Sequence, residues 1–133
     1  MNFLAGKKKT ILIPSGPSHD PDRKHLFCIL TDASHHNQHL LVPICSVKPG
    51  KFYDPTCVIL PGAHSFIKKD SYVEYRLMEI RPTKHICKLV DGNEWTEKED
   101  FNEDLHNRIC EGIRTSKFTP RWAKDHYESW PQG

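Results

Sequence analysis

With 133 residues and a net charge of +2, the chain is long enough to bury one core without disulfide staples and too weakly basic for charge alone to announce a nucleic-acid partner. A hydrophobic share of 37% and a mean hydropathy of −0.63 predict a modest core with long polar loops, and ten prolines argue against a helical bundle. No long apolar stretch follows Lys7-Lys8-Lys9 or occurs elsewhere, so neither a signal peptide nor a membrane span is expected, and the protein reads as soluble and cytoplasmic.

In chain order, Thr10-Ile11-Leu12-Ile13-Pro14 predicts a first strand, closed by Pro-Ser-Gly-Pro and a polar loop over 15–24 that contains Asp20-Pro21-Asp22. The apolar run from His25 to Thr31 and the run from Leu40 to Val47 flank a short polar turn, which predicts an antiparallel hairpin. Pro43 inside the second run lacks an N–H for a ladder and points to a bulge or an edge. A polar loop over 48–56 leads to Cys57-Val58-Ile59-Leu60. Short strands are then expected at Ser71 to Tyr75, Met78 to Arg81 and His85 to Val90.

The pattern changes after Asp91-Gly92. Thr96-Glu97-Lys98-Glu99 has the form of a capping box, and Phe101, Leu105, Ile109 and Ile113 share one helical stripe. A helix is therefore expected from near Thr96 or Asn102 to near Arg114. A further short helix is expected to start at Thr119-Pro120, and the residues from Glu128 onward read as a loose tail. The fold class is mainly β with a C-terminal helix, the strands suggesting a small barrel or sandwich. Residues 1–95 make the β domain, and 96–133 form a helical segment packed on it.

The five cysteines are odd in number and contain no Cys-x-x-Cys, so they read as free thiols in a reducing compartment. The His35-His36-Asn37-Gln38-His39 cluster lacks a helical i, i+4 frame and reads as a polar hairpin tip; no metal or cofactor is expected there. Cys45 reads as a small buried thiol in preference to a nucleophile.

The segment from Pro61 to Arg76 concentrates chemistry: His64, Lys68, Lys69, Glu74 and Arg76 stand beside Phe66 and several hydroxyls. They form either a solvated edge or the lining of an anion pocket. Within the order of the chain, Val42-Pro43-Ile44-Cys45-Ser46, then Lys68-Lys69-Asp70-Ser71-Tyr72-Val73, then an Ile80-Arg81 stop resemble the MazF/PemK toxin family. The resemblance implies a small SH3-like barrel, usually dimeric, that cleaves single-stranded RNA without a metal and is held inactive by a cognate antitoxin. Where typical members open the second strand with Arg-Pro, this chain has His25-Leu26, and Cys45-Ser46 stands where they close the third strand with a hydroxyl.

Metal-free RNA cleavage needs a base for the 2′-hydroxyl, an acid for the leaving 5′-oxygen and a cation for the phosphorane. His25 and His64 are the candidate base and acid, because imidazole titrates near neutrality. Arg76 or Lys68 would neutralise the phosphate, Ser46 would hold a non-bridging oxygen and Glu74 would orient a histidine. Lys68, Lys69, Phe66 and Tyr53 are the candidate RNA-binding residues, with aromatic rings near lysines as a stacking surface requires. The rival expectation is the same barrel as a non-catalytic module that binds nucleic acid or protein. The missing Arg-Pro pair favours the rival; the retained hydroxyl and the His64 segment favour the nuclease.

Overall fold

The computed structural model describes residues 3–16, 18–20 and 23–130. Seven antiparallel strands form one sheet: β1 (Thr10–Pro14), β2 (Lys24–Ile29), β3 (Gln38–Ser46), β4 (Val58–Ile59), β5 (Ser71–Val73), β6 (Glu79–Pro82) and β7 (Thr96–Lys98). The order is β4-β5-β3-β2-β1-β7, with β6 also on β3. β3 is the longest strand and serves two partners along one edge. Its first half pairs with β6 (Leu40 opposite Ile80) and its last residues pair with β5 (Cys45 opposite Tyr72). The chain between β5 and β6 leaves the sheet as a short 3-10 turn, Tyr75–Leu77. Pro43 sits at the break between the two partners, where its carbonyl accepts from Glu74 N at 3.0 Å and its missing N–H leaves no ladder bond unmade. The expected bulge or edge is thus a gap between two half-strands.

Strand alternation divides the core into two layers. On one face Leu12, Leu26, Cys28, Leu40, Val42, Ile44 and Val73 pack under α2 (Glu103–Thr115) and α3 (Arg121–Ser129), which contribute Leu105, Ile109, Ile113 and Ala123. On the other, Ile11, Ile13, Phe27, Ile29 and Leu41 pack against Phe3, Trp95 and Ile86 of α1 (Thr83–Asp91). The predicted stripe of Phe101, Leu105, Ile109 and Ile113 is buried throughout. Tyr75 donates to Ile109 O at 2.7 Å, and its ring lies so close to α2 that a Cβ on Gly112 would overlap it.

Three expectations are corrected. His85 to Val90 is helix, not strand: Ile86, Leu89 and Val90 fall at i, i+3 and i+4, which outweighs the short alternation, and Gly92 ends the turn by donating to Lys88 O at 3.0 Å. Thr96-Glu97-Lys98 is not a capping box but β7, which covers the open edge of β1. The helix begins after Asn102, whose side chain accepts from Leu105 N at 2.8 Å, with Glu103 and Asp104 in the first turn. Residues 128–130 are not a loose tail, since α3 runs to Ser129 and buried Trp130 donates its indole N–H to Asp32 O at 2.9 Å. Pro21 and Asp22 of the expected 15–24 loop, and residues 131–133 of the expected tail, lie outside the described residues.

The fold is β-rich with a C-terminal helical pair. Among the described residues no ladder joins β4 to β7, so the sheet is open. No helix among them is long and apolar enough to cross a membrane.

Candidate nucleic-acid interface

β2 starts with Lys24-His25, β3 ends with Cys45-Ser46, and Tyr72 of β5 is paired with Cys45. His25, Pro43, Cys45 and Tyr72 belong to the same alternation set as Phe27 and Leu41, so they face away from α2 and α3. The layer under α1 ends near Phe27 and Leu41. Beyond it the sheet is left with two adjoining hollows that share His25 and Cys45 as walls. The first, about 320 Å³, is lined by Arg23, Lys48, Lys51, Tyr53 and Tyr72 in addition. The second, about 350 Å³, extends to Ser15, Arg76 and Glu79.

His25 is half-buried, and its Nδ1 lies 2.8 Å from Ser15 Oγ, while Nε2 makes no hydrogen bond to a described residue. Burial, then the charges of Arg23 and Lys48, pull its pKa below the usual imidazole value, so it holds the neutral form that accepts a proton. Cys45 is pushed the other way, by burial first and then by Glu74, so its thiol stays protonated and is a poor nucleophile. Tyr72 is also raised, by burial and then by Cys45 and Glu74, and it donates to Glu74 Oε2 at 3.3 Å. The Tyr53 and Tyr72 rings lie 5.3 Å apart. Phe52, 77% exposed, leans on Phe118 at 5.4 Å at the rim.

The loop that supplies Lys48, Lys51, Phe52 and Tyr53 is fastened from behind. Asp54 is buried; its Oδ1 accepts from Thr56 N at 3.0 Å and Thr56 Oγ1 at 2.5 Å, and its Oδ2 accepts from Ser116 Oγ at 2.5 Å. Ser116 is the residue that ends α2 and in turn accepts from Phe118 N at 3.1 Å. The hollow therefore has a wall anchored to the helical layer.

The residues singled out in the sequence separate into three places. His25, Ser46 and Tyr53 line the first hollow, and Arg76 lines the second. Glu74 is nearly enclosed and takes both the Tyr72 hydroxyl and the exposed Arg76 guanidinium, the latter at 3.7 Å. Phe66, Lys68 and Lys69 stand on the helix-side face of the sheet, around a hollow of about 220 Å³ that also touches Ser46. His64 joins none of these hollows. It is 2% exposed, with Nε2 at 2.8 Å from Glu99 O and 3.1 Å from Thr10 Oγ1, and Nδ1 accepting from Phe66 N at 3.1 Å. Nε2 pins the 61–70 loop to β1 and to the chain before α2, and Nδ1 braces the loop internally at Phe66.

Sequence reasoning passed over Arg23, Lys48, Lys51 and Tyr72 as site residues. The lysines carried a signal, since they bracket the Phe52-Tyr53 pair; Arg23 carried none, because pairing with β3 is what brings the start of β2 to this face. Among the described residues no group of three or more His, Cys, Asp or Glu is placed to hold a metal. No family model, curated protein or solved structure matches the chain.

Proposed function

We propose that the open part of the sheet takes single-stranded RNA and that the chain is a toxin-like endoribonuclease on an SH3-like, MazF/PemK-like scaffold. The observation that carries this reading is the hollow in which a neutral imidazole, three cations and two tyrosine rings in tilted contact converge. Cations track the phosphates and aromatic faces accept bases without regard to sequence. His25 Nε2 takes the proton from a 2′-hydroxyl, whose oxygen attacks the adjacent phosphorus. The bond from phosphorus to the 5′-oxygen breaks, leaving a 2′,3′-cyclic phosphate and a 5′-hydroxyl end. Arg23, Lys48 and Arg76 offset the charge of the phosphorane, and the leaving oxygen takes its proton from solvent in the open hollow. The cognate antitoxin, the homodimer and the cytoplasmic setting belong to the same proposal and rest on the family resemblance.

Incubating purified protein with mixed-sequence RNA in excess EDTA tests this. Fragments with cyclic phosphate ends, and growth arrest on expression, are the expected results. Intact RNA under those conditions overturns the nuclease assignment.

One observation favours the second reading, a non-catalytic RNA-binding module: among the described residues His25 is the histidine that lines these hollows, and His64 is enclosed elsewhere. RNA bound but left uncut by the wild-type chain would select it.

A further inference from the structure

The hollow around His25 and the hollow around Lys68 lie on opposite faces of the sheet, yet both are walled by Ser46, the last residue of β3. Ser46 is exposed and is the last residue of β3; just beyond it Val47 N donates to Asp70 O at 2.9 Å, so this backbone step at the sheet end is what lies between the two hollows. Each side repeats the same chemistry. The first offers Arg23, Lys48 and Lys51 with Tyr53 and Tyr72; the second offers Lys68 and Lys69 with the exposed ring of Phe66, over an apolar floor of Leu26 and Ile44. Neither Lys68 nor Lys69 is in an ion pair among the described residues, and both are exposed. Phe66 is fixed from below, because its backbone N–H is held by the buried His64 ring. A stacking ring with a fastened backbone beside two unpaired ammonium groups repeats the first hollow in a smaller form.

We infer that these hollows are one track: a single RNA strand passes from the Tyr53–His25 side over the sheet end at Ser46 and into the Phe66–Lys68–Lys69 side. The inference rests on the RNA reading above and adds a second subsite on the face where the chemistry does not take place. The strand is flexible enough to turn the edge, whereas a duplex is too stiff and too wide to follow it. Phosphates on the far side meet Lys68 and Lys69, and one base rests on Phe66.

The test uses 2′-O-methyl RNA, in which the blocked 2′-oxygen prevents cleavage, in lengths of about four and about twelve nucleotides, which bracket the span of one small β-rich module. Affinity is read by fluorescence anisotropy between about 50 and 200 mM salt. Wild type should bind the longer strand with the steeper salt dependence. Lys68→Gln with Lys69→Gln should reduce that slope by about 1.4, at about 0.7 per phosphate on a single strand, and leave the short strand unchanged. Phe66→Ala should weaken the longer strand on the order of tenfold. Both lengths binding wild type and the lysine variant with unchanged slopes overturns the track while leaving the His25 site standing. Failure of wild type to bind either strand overturns the RNA reading and the track together.

Discussion

His25 and His64 are the same side chain, one opening an apolar run and one inside a polar segment, and the fold gives them opposite fates. His64 lies under the chain that leads into α2, with both nitrogens engaged by Glu99 O and Phe66 N. His25 stands where the layer under α1 has ended, with Nδ1 beside Ser15 Oγ and the residue lining a hollow rimmed by cations. The difference is cover. A histidine is left available for chemistry where the second layer of the fold runs short, and becomes a fastener where that layer closes over it. The whole molecule follows that division: the face under α2 and α3 is closed except for the small hollow at Phe66, Lys68 and Lys69 by the end of β3, and the opposite face is left open over a larger area around His25.

The contrast can be broken most sharply at the two imidazoles. His25→Ala should slow RNA cleavage on the order of 10²–10⁴-fold, as loss of a general base does, while its urea midpoint stays close to wild type. A full rate in that variant would remove His25 from the chemistry. On the closed face, Gly112→Ala forces a methyl into the Tyr75 ring and should cost about 3 kcal/mol, read from urea unfolding with no change in the RNA affinity of the folded protein. His64→Ala should cost about 2 kcal/mol, because it removes a buried ring packed on Phe101 together with its hydrogen bonds to Phe66 N and Glu99 O. It too should spare RNA affinity; a selective loss of cleavage in a fully folded variant would return His64 to the site. Asn102→Ala, which removes the cap of α2, should cost about 1 kcal/mol.

The smallest effect concerns pH. His25 and His106 are both held below the ordinary imidazole pKa, burial being the first cause for each. As pH falls through about 6.5 the unfolded chain takes up protons that the folded chain refuses, so stability drops in that window and is full above it. Thermal unfolding across that range measures the drop. His25→Ala should remove part of it and leave the share due to His106. The acid limb of cleavage should lie below about 6.5, where folded His25 finally becomes protonated.

The strands from Thr10 to Ser46 were legible because their apolar runs are bounded by proline and polar turns, and the α2 stripe was legible from its period. α1 was missed because a six-residue segment with apolar residues on both a two-fold and a helical spacing reads either way until the packing against Phe3 and Trp95 chooses. Thr96 to Lys98 misled because a capping box and an exposed edge strand share hydroxyl and acidic residues. Half of the candidate site was readable from single residues, such as His25, Tyr53 and Arg76. Arg23 and Tyr72 became visible only through strand pairing, which local sequence does not encode. The chain before His64 turns at Gly62 with a positive φ of 96°, and the ring ends up facing inward, a direction the local sequence does not encode.

The knot of Asp54 with Ser116 and Thr56 has a consequence for binding thermodynamics. A loop that had to be ordered by its ligand would subtract that entropy from every affinity it supports. Here the ordering of the Lys48–Tyr53 wall is completed when α2 docks, so it is charged to folding. The hollow meets its ligand already shaped, and its affinity inherits the rigidity of a helix end on the far side of the sheet.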